Sequence, residues 1–163
     1  MNTRTPRDKW IIAICGTIVL AAYFGIAAIG NTDVYSLTRV LTGKNLGCNL
    51  QGIDLSGIHK PETGLAGADL EYAVLAGANL RDSNFTGAFM RHANLSGANL
   101  QNAVLRNAVL NSTNMTDVDL RGADLRGAYL VDADLTGALV TLGQLDSANT
   151  LVGATLPDGS RHE

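Results

Sequence analysis

Residues 92–110 read HANLSGANLQNAVLRNAVL, with leucine at 95, 100, 105 and 110 and alanine at 93, 98, 103 and 108. Period five fits neither regular element. An α-helix advances about 100° per residue, so five steps turn a leucine by about 140° and scatter the set around the circumference. In a strand, five steps put successive leucines on opposite faces. The backbone has to turn a corner between one leucine and the next.

The register runs far beyond this stretch. Of the twenty multiples of five from Leu50 to Leu145, nineteen are apolar and only Lys60 is not. Two residues earlier, alanine fills twelve of the twenty positions. Asp or Asn recurs between them, as at Asp69, Asn79, Asn94, Asn99, Asp119, Asp124 and Asp134. Glycine recurs two residues after the leucine, as at Gly67, Gly77, Gly87, Gly97, Gly122, Gly127 and Gly137. A solenoid of square cross-section satisfies all of this. Each pentapeptide forms one side, four sides make a coil, and the large residue and the small one before it both point inward. Coils stack at about 4.8 Å, the spacing of neighbouring strands. Gly, Asn and Asp suit the corners. Each coil is held chiefly by its neighbours.

These repeats, with their ADL, AVL and ANL triplets, resemble the pentapeptide-repeat family, whose consensus is A(D/N)Lxx. The resemblance covers about residues 48–145 and includes membrane-anchored or exported cyanobacterial-type members. It implies an all-β solenoid, a right-handed quadrilateral β-helix. The lead-in LTRVLTGKNLGCNLQGIDL is similar to members in which a short helix precedes a GC(D/N)L first repeat, and the tail LVGATLPDGSRHE is similar to their closing segment. Cys48 then takes a small inward position as a buried structural thiol. The phase is lost at Thr150 and recovers at Leu151 and Leu156, so the last regular coil is expected to end near 145. The segment IHKPETG (58–64) replaces one repeat without changing the phase, and is expected to bulge from a corner as a tolerated loop.

Upstream, Trp10 to Ile29 is uncharged for twenty residues. At about 1.5 Å per residue it spans about 30 Å, the hydrocarbon thickness of a bilayer. Arg4, Arg7 and Lys9 precede it, offset by Asp8, which places the N-terminus in the cytoplasm and the rest of the chain in the periplasm or thylakoid lumen. Gly16, Ala21, Ala22 and Gly25 favour close packing against other helices. A cleaved signal peptide is the alternative, with Ala28-Ile29-Gly30 as cleavage site, but its apolar core is ordinarily shorter. The expected organisation is a cytoplasmic tail (1–9), a transmembrane helix or uncleaved signal anchor (10–30), a linker and capping helix (31–47), the β-helix (48–149) and a C-terminal cap and tail (150–163). Asp33 would cap that helix, with Val34, Leu37, Val40 and Leu41 on its apolar side.

Chemistry is sparse. The chain has 163 residues, is 46% hydrophobic but only 5% aromatic, and has a net charge of −3. That charge is not a nucleic-acid-binding balance. The two cysteines, Cys15 and Cys48, have no metal spacing and no expected disulfide. His59, His92 and His162 are far apart, and no phosphate loop or nucleophile elbow is present. A leucine-filled rod has no lumen for a substrate, so neither enzyme activity, cofactor, metal nor small-molecule substrate is expected.

The outer faces are more informative. Residues twenty apart stack, which puts Asp69, Phe89, Val109 and Tyr129 in one column, with Tyr72 and Val131 beside it. Val104 extends the apolar patch around a corner. Three stacked apolar residues where the repeat ordinarily has Asp or Asn point to a partner surface. The expected function is that of a non-catalytic, membrane-anchored structural or interaction protein. Its rigid β-helix docks on the periplasmic or lumenal side of a larger, multi-subunit membrane complex as an accessory or assembly subunit. The resemblance alone suggests a photosynthetic or respiratory host. Alternatives are a secreted free scaffold after signal cleavage, or a DNA mimic. Some family members bind a type II topoisomerase in that way, through a long acidic face. Here Arg81, Arg91, Arg106, Arg121 and Arg126 interrupt the faces.

Overall fold

The computed structural model describes Gly47 and residues 49–163. The expected membrane span, with Trp10, Gly16, Ala21, Gly25 and Ile29, lies outside the described residues, as do the capping helix before Gly47 and Cys48. Among the described residues no helix is long and apolar enough to cross a membrane.

The pentapeptide turns because its leucine carbonyl closes a four-residue turn. Ala73 N–H donates to Leu70 O at 3.0 Å, and Ala98 N–H to Leu95 O at 3.0 Å. The third turn residue takes a positive φ, as at Tyr72 (60°) and Gly97 (63°), which is the type II geometry and the reason glycine recurs there. The flanking amides join coil to coil. Leu70 N–H donates to Phe89 O at 2.7 Å, Tyr72 N–H to Arg91 O at 3.0 Å, and Phe89 N–H to Ala68 O at 2.9 Å. The result is a ladder of parallel bridges at a constant offset of twenty, from Asn49↔Asp69 to Asp119↔Leu139.

Four faces follow. Face A carries Asn49, Asp69, Phe89, Val109 and Tyr129; face B carries Asp54, Val74, Asn94, Asn114 and Asp134. Face C carries His59, Asn79, Asn99, Asp119 and Leu139, and face D carries Gly64, Asn84, Val104 and Asp124. The core is the inward leucine and alanine set: Leu70, Leu75, Leu95, Leu100, Leu105 and Leu110 are fully buried, with Phe85, Met90 and Met115 in leucine seats. Three alanine seats hold hydroxyls instead, Thr63, Ser83 and Thr113. Each is satisfied: Thr63 N–H donates to Ser83 Oγ at 3.0 Å, Thr63 Oγ1 to Lys60 O at 2.7 Å, and Thr113 Oγ1 to Met90 O at 2.8 Å.

Two expectations need correction. Residues 58–64 do not bulge. His59 bridges Asn79 and Gly64 bridges Asn84, so IHKPETG is an ordinary side of the first coil. Pro61 takes the second turn position, which suits its fixed φ, and Glu62 takes the positive-φ seat at 58°. Lys60 occupies a leucine seat near the end of the rod, where its aliphatic stem is only partly buried. The second correction concerns the far end. Regular coiling stops at Val140 rather than near 145, and a helical turn, α1 (Leu142–Asp146), replaces one side. Thr141 and Gln144 form a reciprocal capping box at its start. Leu145 still fills the core. Gln144 Nε2 donates to Leu120 O at 2.7 Å and Ala123 O at 2.8 Å, the second being the carbonyl that in a regular coil accepts an amide of the next, as Ala103 O does from Asp124. The side through α1 is one residue longer, so the bridges resume at an offset of twenty-one, Tyr129↔Thr150 and Asp134↔Thr155. The PDG sequence turns the tail back, and Arg161 pairs antiparallel with Thr155.

Candidate partner surface

In most repeats the residue before the leucine is Asp or Asn, and its Oδ1 accepts the backbone N–H two residues on. Asn94 does so for Ser96 at 3.0 Å, Asn99 for Gln101 at 3.0 Å, and Asp134 for Thr136 at 3.0 Å. This Asx bond pins the turn. Phe89, Val109 and Tyr129 have no acceptor to offer. They lie in one bridged column on face A, where Phe89 is 44% exposed, Tyr129 is 40% exposed and Val109 is half-buried between them. At a coil spacing of about 4.8 Å, the two rings stand about 10 Å apart across the valine.

The structure distributes the remaining sequence-predicted residues around this column. Val131 is half-buried at the A/B corner, and its N–H is taken by Asn111 Oδ1 at 3.3 Å. Val152 falls one coil beyond it after the one-residue shift and is well exposed. Tyr72, 60% exposed, sits at the same corner in a positive-φ seat. Val104 does not join the column. It is on face D between Asn84 and Asp124, and the turn carrying Arg106 separates it from Val109. The sequence reading missed His92, whose ring stacks on Tyr72 with centroids 5.0 Å apart and planes 15° apart. The offset of twenty between residues 72 and 92 was the signal. It also missed Val152, because the inserted residue disguises its alignment with Val131.

The charged residues of the other faces are turned on one another. Among the described residues every arginine pairs with a carboxylate: Arg81 with Asp82 (2.9 Å), Arg91 with Glu71 (3.5 Å), Arg106 and Arg126 with Asp124, Arg121 with Asp119 (2.7 Å) and Arg161 with Asp132 (3.1 Å). The Arg121 hydrogen bond, reinforced by Gln101, holds the Asp119 carboxyl well below the usual carboxylate range despite partial burial. A carboxyl whose folded value lies below its unfolded value near ~3.9 stabilises the fold at neutral pH and loses that contribution as pH falls. Asp119→Asn is therefore expected to cost about 0.2–1 kcal/mol at pH 7. Urea unfolding at pH 7 and pH 2.5 should show the difference from the parent shrinking at the lower value; a difference constant with pH contradicts the pairing.

A groove of about 770 Å³ opens in the first coil, lined by residues from Asp54 to His59. Its two titratable side chains have partners, since Ser56 Oγ donates to Asp54 and the His59 ring meets Asn79 Nδ2 at 3.1 Å. Among the described residues no group of three or more His, Cys, Asp or Glu is placed to hold a metal ion.

Comparison with known proteins agrees with this architecture. The family model for pentapeptide repeats matches in eight copies, over residues 65–102, 90–127 and 98–137. The chain is 31% identical to a pentapeptide repeat protein from the thylakoid lumen of Arabidopsis thaliana, over 55% of this chain and 63% of that one, with a TM-score of 0.55. A regulator of heterocyst differentiation from Nostoc is 36% identical over 74% of this chain and 52% of its own, with a TM-score of 0.31. Another Nostoc pentapeptide repeat protein is 35% identical over 62% of this chain and 79% of its own, with a TM-score of 0.43. The chain thus spans less than two thirds of the Arabidopsis protein and about half of the Nostoc regulator. None of the curated proteins matches it. Eight matched repeats, joined by the bridged four-sided coil, place this chain in the pentapeptide-repeat family, whose members fold as right-handed β-helix solenoids.

Proposed function

We propose that this chain is a non-catalytic scaffold that presents the Phe89–Val109–Tyr129 column to a partner protein. The observation that carries this reading is the loss of three Asx bonds in successive coils of one face. Each such bond is worth about 0.5–1.5 kcal/mol, and Asn111 Oδ1 replaces only the one lost at Tyr129, so the solenoid gives up stability at Phe89 and Val109 to expose apolar surface there. Proteins of this family are generally structural or interaction proteins rather than enzymes, which supports the reading. We further propose the setting. Residues 10–29 anchor the chain with its N-terminus in the cytoplasm. The β-helix docks on the periplasmic or lumenal side of a larger membrane complex, photosynthetic or respiratory, as an accessory or assembly subunit. The uncharged twenty-residue span with basic residues on its N-terminal flank supports the anchor. The lumenal origin of the Arabidopsis relative supports the compartment. The self-paired arginines and the apolar column favour a protein over nucleic acid.

The test is the double substitution Phe89→Asp with Tyr129→Asp in the tagged full chain, purified in mild detergent. Aspartate restores the Asx acceptor, so thermal stability is expected to hold or rise while the co-purified complex is lost. A complex retained at parental yield removes the column from the interface.

A further inference from the structure

The A/B corner holds a second recognition element. Tyr72 and His92 stack face to face, 5.0 Å apart and 15° from parallel, and so repeat at close to the spacing of the coils themselves. Their neighbours in the same column are small: Gly52 below Tyr72 and Ser112 above His92. Gly52 leaves the lower face of the tyrosine uncovered. Even a methyl group on Gly52 would have no neighbour within 4 Å among the described residues, so none of them fills the space one coil below the ring. Two carboxylates stand at this corner, Glu71 and Asp69, the latter accepting from Gln51 Nε2 at 3.1 Å, while Asp54 lies on face B and is held by Ser56. Arg91, one coil further up, pairs with Glu71 at 3.5 Å.

We propose that the slot between Gly52 and Tyr72 takes the guanidinium of an arginine from a protein partner. The slot offers what that group requires: an aromatic face at stacking distance and negative charge at its rim. A lysine ammonium fits it less well, because it has no plane to lay on the ring and is more strongly hydrated. His92 already occupies the opposite face of the same ring, so the incoming group extends an existing stack. This inference rests on the reading of the solenoid as an interaction scaffold, but it uses residues outside the Phe89 column.

The experiment titrates the full chain in mild detergent with N-acetyl-arginine methylamide, following the ring-proton resonances of Tyr72 and His92. The lysine analogue is the control. Saturable shifts centred on Tyr72 are expected, with arginine binding about threefold or more tighter than lysine. Tyr72→Phe should keep the response and Tyr72→Ala should remove it. Gly52→Asn should also remove it, because asparagine accepts this backbone seat, as Asn102 and Asn107 do at φ 56°, and its amide fills the slot. Shifts that do not saturate, equal response to lysine, or indifference to Tyr72→Ala would overturn the proposal. The probe requires no partner complex, so its failure leaves the co-purification result of the Asp double substitution separately readable.

Discussion

Replacing Leu100 with alanine is expected to lower the unfolding free energy by about 2–5 kcal/mol, the range for a leucine cut from a packed core. Leu100 has no solvent exposure, and its seat lies between those of Leu80 and Leu120 in the coils on either side. The cost should fall at the upper part of the range because the walls cannot collapse. Leu80 N–H is held to Asn99 O at 2.9 Å and Leu100 N–H to Asp119 O at 2.8 Å, which fixes the coil spacing around the void. Leu55, in the first coil and only partly buried, provides the comparison and should cost clearly less as alanine. Urea unfolding of both variants checks this. Equal losses would mean that the middle of the rod relaxes as freely as its end.

The second large effect is at a corner. Gly97 and Gly122 both take a positive φ, 63° and 74°, so alanine is strained at either, by about 1–2 kcal/mol. Their surroundings differ. A methyl group on Gly97 would meet nothing within 4 Å, whereas on Gly122 it would collide with Oδ1 of Asn102. Asn102 has little room to yield, because its Nδ2 donates to Asp82 Oδ1 at 3.0 Å. Gly122→Ala is therefore expected to exceed Gly97→Ala by about 1–2 kcal/mol, part of it from the hydrogen bond that the displaced Asn102 gives up. In an Asn102→Gly background the excess should vanish. A double-mutant cycle measured by thermal unfolding isolates it, and a coupling near zero would assign the whole cost to backbone strain.

These cases also show what the sequence makes legible. Period five with small–polar–large triplets dictates the turn, the inward set and the offset of twenty, and hence the faces on which Phe89, Val109 and Tyr129 align. Deviations from the repeat are harder to read. IHKPETG looks foreign by composition, yet Pro61 loses no Asx bond, because the residue two before it is His59 rather than Asp or Asn. The chain therefore keeps its course. TLGQLD keeps a leucine in phase at Leu145 and so reads as a repeat, while Thr141 and Gln144 specify a helix cap instead. Val104 falls on face D, one corner from Val109, as the offset of twenty places it. The Tyr72–His92 stack needs side-chain conformation as well as register, and periodicity supplies only the register.

The buried hydroxyl pair of the first two coils has a consequence for assembly. A rod of near-identical coils is ambiguous to itself, since a chain that skips one coil still puts leucine over leucine. Thr63 and Ser83 remove part of that ambiguity. Thr63 N–H donates to the Ser83 hydroxyl in the next coil. In a slipped pairing it would face Ala103, lose that bond and fall back on the turn bond that the same seat makes elsewhere. Thr113 sets no register, because the backbone carbonyl it reaches on Met90 recurs in every coil. The Thr63–Ser83 bond therefore marks one coil from another, and a misthreaded solenoid forgoes it.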